Sequence, residues 1–95
     1  MILQTNLTTL PLTGLEQGHD YLIVVSNAQS AVTLQFRHAG DPTYRDHPDF
    51  TAVAPVATVV MKSVRICSYD MRIVFATAPP SNYYVSCVAS AVATF

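Results

Sequence analysis

The chain has 95 residues and a mass of 10.3 kDa, enough for one domain with a modest core but not for two domains. Apolar residues make up 51% of the sequence, which excludes intrinsic disorder, and the charged share of 12% is about half of the usual ~25%. The formal net charge of −1 argues against nucleic-acid binding, which needs a basic patch.

β-Branched residues dominate the composition and predict strands. The chain holds twelve Val, four Ile and ten Thr. Runs of strand length follow one another between clusters of turn residues, at 2–10, 20–26, 31–37, 57–64, 71–77 and 83–92, with shorter candidates at 50–53 and 65–68. We therefore expect a single all-β domain over 1–95, a small antiparallel β-sandwich of about 6–8 strands that is jelly-roll or immunoglobulin-like.

No targeting or membrane segment is expected. The first fifteen residues lack the positive region of a signal peptide. The uncharged stretch 73–95 is interrupted by 79–82, Pro-Pro-Ser-Asn, and is too short for a spanning helix. We expect synthesis in the cytoplasm without membrane insertion, with incorporation into a larger particle left open.

Alternation in two runs predicts one buried and one solvated side. Val32, Leu34 and Phe36 share one face of their run, and Ile73 and Phe75 share one face of theirs. We expect these five residues in the core. Cys67 and Cys87 are expected as buried thiols, and their spacing does not decide whether they pair.

Two other runs are apolar on both faces. In 20–26, Ile23 and Val25 alternate with Leu22 and Val24, and 83–92 shows a weaker form of the same pattern. A strand that is apolar on both sides must be covered on both sides. The second cover is either the N-terminal segment of the same chain or a neighbouring subunit, and we favour a subunit. The sequence thus predicts a homo-oligomer, a trimer or a dimer.

Polar chemistry is concentrated between residues 37 and 49, which hold five of the eleven charges and two of the three histidines. Asp49 and its neighbours are donors of the type that binds divalent metals, but their spacing matches no ligand motif. A solvated connecting loop with local salt bridges is the simpler interpretation, and a binding loop is the alternative. Its candidate binding residues are Arg37, His38, Asp41, Tyr44, Arg45, Asp46 and His47. Tyr83 and Tyr84 are a second candidate pair, for stacking on a ligand.

Catalysis has no support in the sequence. There is no nucleophile elbow, no phosphate-binding glycine loop and no zinc-protease motif. We predict no catalytic residue, no cofactor and no metal. The leading hypothesis is a non-enzymatic structural or assembly module of the kind found in virion, appendage or surface assemblies, with other assembly proteins as further partners. The alternative is a ligand-binding or carbohydrate-binding module that uses residues 37–50 and the two tyrosines.

Overall fold

Eight strands form in the part of the chain that the computed structural model describes, residues 2–5, 8–68 and 70–89, and these residues contain no helix. The strands are β1 (Ile2–Thr5), β2 (Thr9–Leu12), β3 (Asp20–Ser26), β4 (Val32–Phe36), β5 (Arg45–Asp46), β6 (Val59–Arg65), β7 (Met71–Phe75) and β8 (Tyr83–Ala89). They make two four-stranded antiparallel sheets. The first sheet has the order β1-β8-β3-β6, and the second has the order β2-β7-β4-β5. The expected all-β sandwich is confirmed.

The strand pairing is that of a rolled ribbon. β1 pairs with β8, β2 with β7, β3 with β6 and β4 with β5, so the chain is folded back on itself as one long double strand. The ribbon then rolls up, because β3 also pairs with β8 and β4 with β7. Eight strands connected in this way form a jelly roll. Of the two arrangements expected, the structure therefore has the jelly roll.

The core lies between the two sheets and is made by the inward residues of both. Leu34 and Ile73 are paired across β4 and β7, and both are fully buried. Ile23 and Val25 supply the matching positions of the first sheet. Each inward position alternates with an outward one, as the two-residue period of a strand requires.

Three predicted strands are divided, reduced or lost, and the ends of β4, β6 and β7 differ from the predicted runs by one or two residues. The predicted strand 2–10 is divided into β1 and β2, which belong to different sheets. The 50–53 candidate is reduced to a single bridge between Val53 and Val32, and 65–68 contributes only the last residue of β6. Strand β5 was not predicted. The expected end of the last strand, beyond residue 89, lies outside the described residues.

Two predictions about buried side chains also need correction. Val32, Leu34, Ile73 and Phe75 are buried as expected, but Phe36 is only partly buried at the edge of the core. It is the last residue of β4 and packs against the margin of the core. Cys87 is buried, whereas Cys67 is exposed because it follows the end of β6.

Candidate functional site

An apolar surface covers the solvent side of the first sheet. β3 and β8, the two strands with apolar residues on both faces, are neighbours in this sheet, so their second apolar sides lie next to each other. The outward residues of β6 extend this surface on the other side of β3. We call this surface the outer face. Its members in β3, β6 and β8 are Asp20, Leu22, Val24, Ser26, Val59, Met61, Ser63, Arg65, Tyr84, Ser86 and Val88.

The largest side chains of the outer face remain in contact with solvent. Met61 is 58% exposed, Val88 55% and Tyr84 48%. Leu22 and Val24 are half-buried between them. The described N-terminal strands do not cover this surface, because β1 extends the sheet beside β8 and β2 belongs to the second sheet. Of the two covers expected for the second apolar side of β3 and β8, the described N-terminal strands are therefore not the one that covers it.

Polar groups lie at both ends of the outer face. At one end Arg65 donates two hydrogen bonds to the Asp20 carboxylate, from Nε at 2.9 Å and from Nη2 at 3.3 Å, and this pairing lowers the pKa of Asp20. At the other end the Asn27 amide donates to the Asn82 carbonyl at 2.6 Å and to Ser81 Oγ at 3.1 Å. An apolar centre within a polar rim is the usual anatomy of a protein interface.

The edges of both sheets are poor templates for a further strand. On edge strand β6, Lys62 lies on the core-facing side, and an inward charge of this kind opposes strand addition. β2 carries Pro11, which has no N–H to donate. β5 has two residues and β1 has four. Association through sheet edges is thus disfavoured, whereas the outer face has no such obstacle.

The outward side of the second sheet is polar by contrast. Arg72 Nε donates to Gln35 Oε1 at 2.8 Å, and Gln35 Nε2 donates to Asp46 Oδ1 at 2.9 Å. These three side chains come from adjacent strands, because β4 lies between β7 and β5. The two broad sides of the domain therefore differ in character, one apolar and the other hydrogen-bonded.

Asp70 is the centre of a polar cluster at the end of the second sheet. Arg37 donates to Asp70 Oδ2 from Nε at 2.8 Å and from Nη2 at 2.7 Å, and the Tyr44 hydroxyl donates to Oδ1 at 2.5 Å. The hydrogen bond from Tyr44, followed by the bond from Arg37, holds the pKa of Asp70 below its usual value. The same bond raises the pKa of Tyr44. The guanidinium carbons of Arg72 and Arg37 lie 3.7 and 4.7 Å from the centre of the Tyr44 ring.

An open cleft of about 340 Å³ lies beside this cluster. Asp41 lines this cleft, and its carboxylate accepts two hydrogen bonds from the same chain. The Thr43 N–H donates to Oδ1 and Arg45 Nε donates to Oδ2, both at 3.0 Å. These two contacts lower the pKa of Asp41. The carboxylates of the cleft thus already accept hydrogen bonds from within the chain. The lining residues are Arg37, His38, Ala39, Gly40, Asp41, Pro42 and Asp70.

His47 is a structural residue of this loop. Its ring is buried, Nδ1 accepts the Asp49 N–H at 3.1 Å, and Nε2 lies 2.9 Å from the Arg65 carbonyl. An acceptor role at Nδ1 assigns the proton to Nε2, which then donates to that carbonyl. Because Arg65 ends β6 and His47 follows β5, this side chain connects the two sheets.

The structure does not bring all the predicted binding residues together. Arg37, His38, Asp41, Tyr44 and Arg45 are grouped around the cleft and Asp70, while Asp46 is joined to Gln35 and His47 is buried. Tyr83 is fully buried against Phe75, with 4.4 Å between the ring centres, and burial raises its pKa. Tyr84 lies on the outer face.

The two tyrosines are at the opposite end of the sandwich from the cleft. Tyr84 is paired with Ser26 at the end of β3, and the next strand, β4, runs away from that end toward Arg37. One ligand therefore cannot use both sets.

Sequence reasoning missed Asp70, Arg72 and Met61. Asp70 lies outside every strand run predicted from the sequence, and its 33-residue separation from Arg37 offered no local signal. Met61 could have been found by extending the alternation analysis to the predicted run 57–64. It alternates there with the buried Val60 and with Lys62.

The described residues contain no group of three or more His, Cys, Asp or Glu side chains placed to hold a metal ion. Nor do they contain a helix with the length and apolar character needed to cross a bilayer. No known protein family, curated protein or solved structure matches this chain.

Proposed function

We propose that the chain is a non-enzymatic structural module that assembles with copies of itself through the outer face. The observation that carries this proposal is the solvent exposure of Met61, Val88 and Tyr84 on a sheet whose edges oppose strand addition. A contiguous exposed apolar patch of this kind is typical of an interaction surface.

The energy of burial is of the size that association requires. Taking a fully exposed large apolar side chain out of water stabilises by roughly 1.5–3 kcal/mol, and the outer face offers six such side chains per copy. Because these side chains are already about half-buried in one copy, the twelve of a pair contribute about 9–18 kcal/mol, comparable to an association cost estimated at about 4–15 kcal/mol. The fold adds an analogy, since jelly rolls are used in viral capsids, although a fold alone does not establish a function.

Light scattering on the purified chain tests the proposal. We expect a mass that is a multiple of 10.3 kDa at micromolar concentration. Val88→Lys should shift the protein to the monomer, because a charge would then be buried at the interface. The matched control is Val74→Lys, which places the same charge on the outward side of the second sheet and should leave the mass unchanged. Circular dichroism verifies that both variants retain the strand signal. A wild-type chain that remains monomeric at high micromolar concentration contradicts the proposal.

A second candidate function is the binding of a polar ligand in the cleft, which the volume of about 340 Å³ supports. Carbohydrate is a poor fit at Tyr44, because two guanidinium groups already lie over its ring and a sugar would have to displace one of them. Glycan-array binding that is lost in Arg37→Ala and retained in Val88→Lys would favour this second function.

A further inference from the structure

The outer face is a single surface, and this restricts the symmetry with which copies can pair. A cyclic trimer is heterologous, so each subunit must present two different patches to its neighbours. In the described residues the second sheet offers a hydrogen-bonded outward side, three of the four edge strands are short, and the fourth, β6, carries the inward Lys62. With one apolar patch available, the closed solution is an isologous dimer in which the same patch is used twice.

The charges on the outer face are compatible with a second copy. Asp20 and Arg65 are its two charged members in β3, β6 and β8, and they are bonded to each other at one end of the surface. Two copies can therefore meet without opposing an unpaired charge in either partner. Three serines are the remaining polar members, and small hydroxyl side chains permit close approach of the two sheets.

The molecule is large enough for a dimer interface of standard size. Its Cα positions extend over 36 × 35 × 21 Å. The largest cross-section therefore exceeds the roughly 800 Å² that each partner buries in a standard interface.

The centre of the outer face can be located from the strand register. In the four-stranded order, the midline of the sheet lies between β8 and β3. Across this midline Ser86 is paired with Val24, and the same row continues to Met61 on β6 and to position 2 on β1. The neighbouring rows hold Val88 with Leu22 on one side and Tyr84 with Ser26 on the other.

From these observations, and resting on the proposed self-assembly, we infer that two copies pack face to face through the outer faces of their first sheets, about a two-fold axis that passes Ser86 and Val24. A residue near such an axis lies close to the equivalent residue of the partner. Substitutions in an isologous interface also act twice, once from each subunit, so Val88→Lys should weaken the dimer by about 100-fold or more.

Cysteine crosslinking tests this arrangement. The exposed Cys67 is first replaced in Cys67→Ser to remove background, and Ser86→Cys is then introduced as a nearly isosteric probe. Two sheets packed face to face lie about 10 Å apart, which is too far for a direct disulfide, so the two thiols are joined with a short bismaleimide linker. We expect this linker to give a covalent dimer of Ser86→Cys at low micromolar concentration. The control Thr9→Cys, exposed on the second sheet, should give none.

The outcomes separate the two proposals. A trimeric mass that Val88→Lys dissociates would leave self-assembly standing and overturn the two-fold dimer. A dimeric mass without crosslinking of Ser86→Cys would overturn the position of the axis. A monomer that floats with phosphatidylcholine vesicles, and loses this property in Val88→Lys, would assign the outer face to lipid and overturn both.

Discussion

Phe50 is fully buried although it follows the most polar stretch of the sequence. Its carbonyl accepts the Leu34 N–H at 2.9 Å, and its own N–H donates to the His47 carbonyl at 3.0 Å. The backbone is thus bonded to β4 while the ring enters the core. This single aromatic residue anchors a segment whose other side chains are largely polar.

We expect Phe50→Ala to lower the free energy of unfolding by about 3–5 kcal/mol, since it removes a fully enclosed ring and leaves a cavity. The matched control is Phe36→Ala, which removes the same atoms from a partly exposed site and should cost roughly half as much. Urea unfolding of both variants measures the difference. A larger loss for Phe36→Ala would place the anchor at the end of β4 instead.

At the scale of elements, a strained hairpin turn precedes β6. Val56 and Val59 are joined by two backbone hydrogen bonds, of 2.9 and 3.0 Å. The two residues between them, Ala57 and Thr58, have φ values of +51° and +63°. Positive φ at both central positions is the type I′ turn, which fits the twist of a hairpin but favours Asn and Gly. A β-branched residue such as Thr58 is rare in this conformation. The backbone strain of the turn therefore destabilises the pairing of the segments that the turn joins.

Replacing this pair by the preferred one, Ala57→Asn with Thr58→Gly, should raise the free energy of unfolding by about 1–2 kcal/mol. Gly18→Ala provides the reverse comparison, because its φ is +80° and no atom would contact the added Cβ. It should be destabilising through backbone strain alone, by about 1 kcal/mol. Thermal unfolding of the two variants measures these effects, and an unchanged or lower stability of the Asn-Gly variant would contradict the assignment of strain.

For the whole molecule, the few charges determine the response to acid. Three of the six acidic residues, Asp20, Asp41 and Asp70, are paired with arginines. The pKa of each carboxyl is lowered in the folded chain. A lowered folded-state pKa stabilises the protein above the unfolded pKa, and this contribution is lost as the pH falls through the folded value. We therefore attribute acid sensitivity largely to these three pairs.

We expect the free energy of unfolding to be nearly constant from about pH 7 to pH 5 and to decrease below about pH 4. Asp70→Asn should be less stable at pH 7 and should show a smaller decrease below pH 4, because it has no carboxyl to protonate. Tyr44→Phe removes the largest cause of the lowered pKa of Asp70. Its loss of stability below pH 4 should therefore be intermediate between the losses of the wild type and of Asp70→Asn. Urea midpoints measured across this pH range provide the test. A decrease in Asp70→Asn as steep as that of the wild type would show that other groups are responsible.

The residue pattern was enough to identify which segments become strands and which of their sides are apolar. The run 20–26 coincides with β3, and its two apolar faces are both present in the structure. These properties are local, since alternation with a period of two is set by backbone geometry within a single strand. The composition likewise indicated an all-β domain poor in charge.

The tertiary structure alone decided which strands are neighbours, and with them the site. That β3 lies beside β8 converts two separate apolar patterns into one continuous outer face. In the same way Asp70 meets Arg37 across 33 residues, and Phe50 enters the core from a polar loop. Such contacts form only when the whole ribbon rolls up. The free energy that pairs distant strands comes from burying the two sheets against each other, and this pairing leaves no periodic pattern in the sequence of either strand.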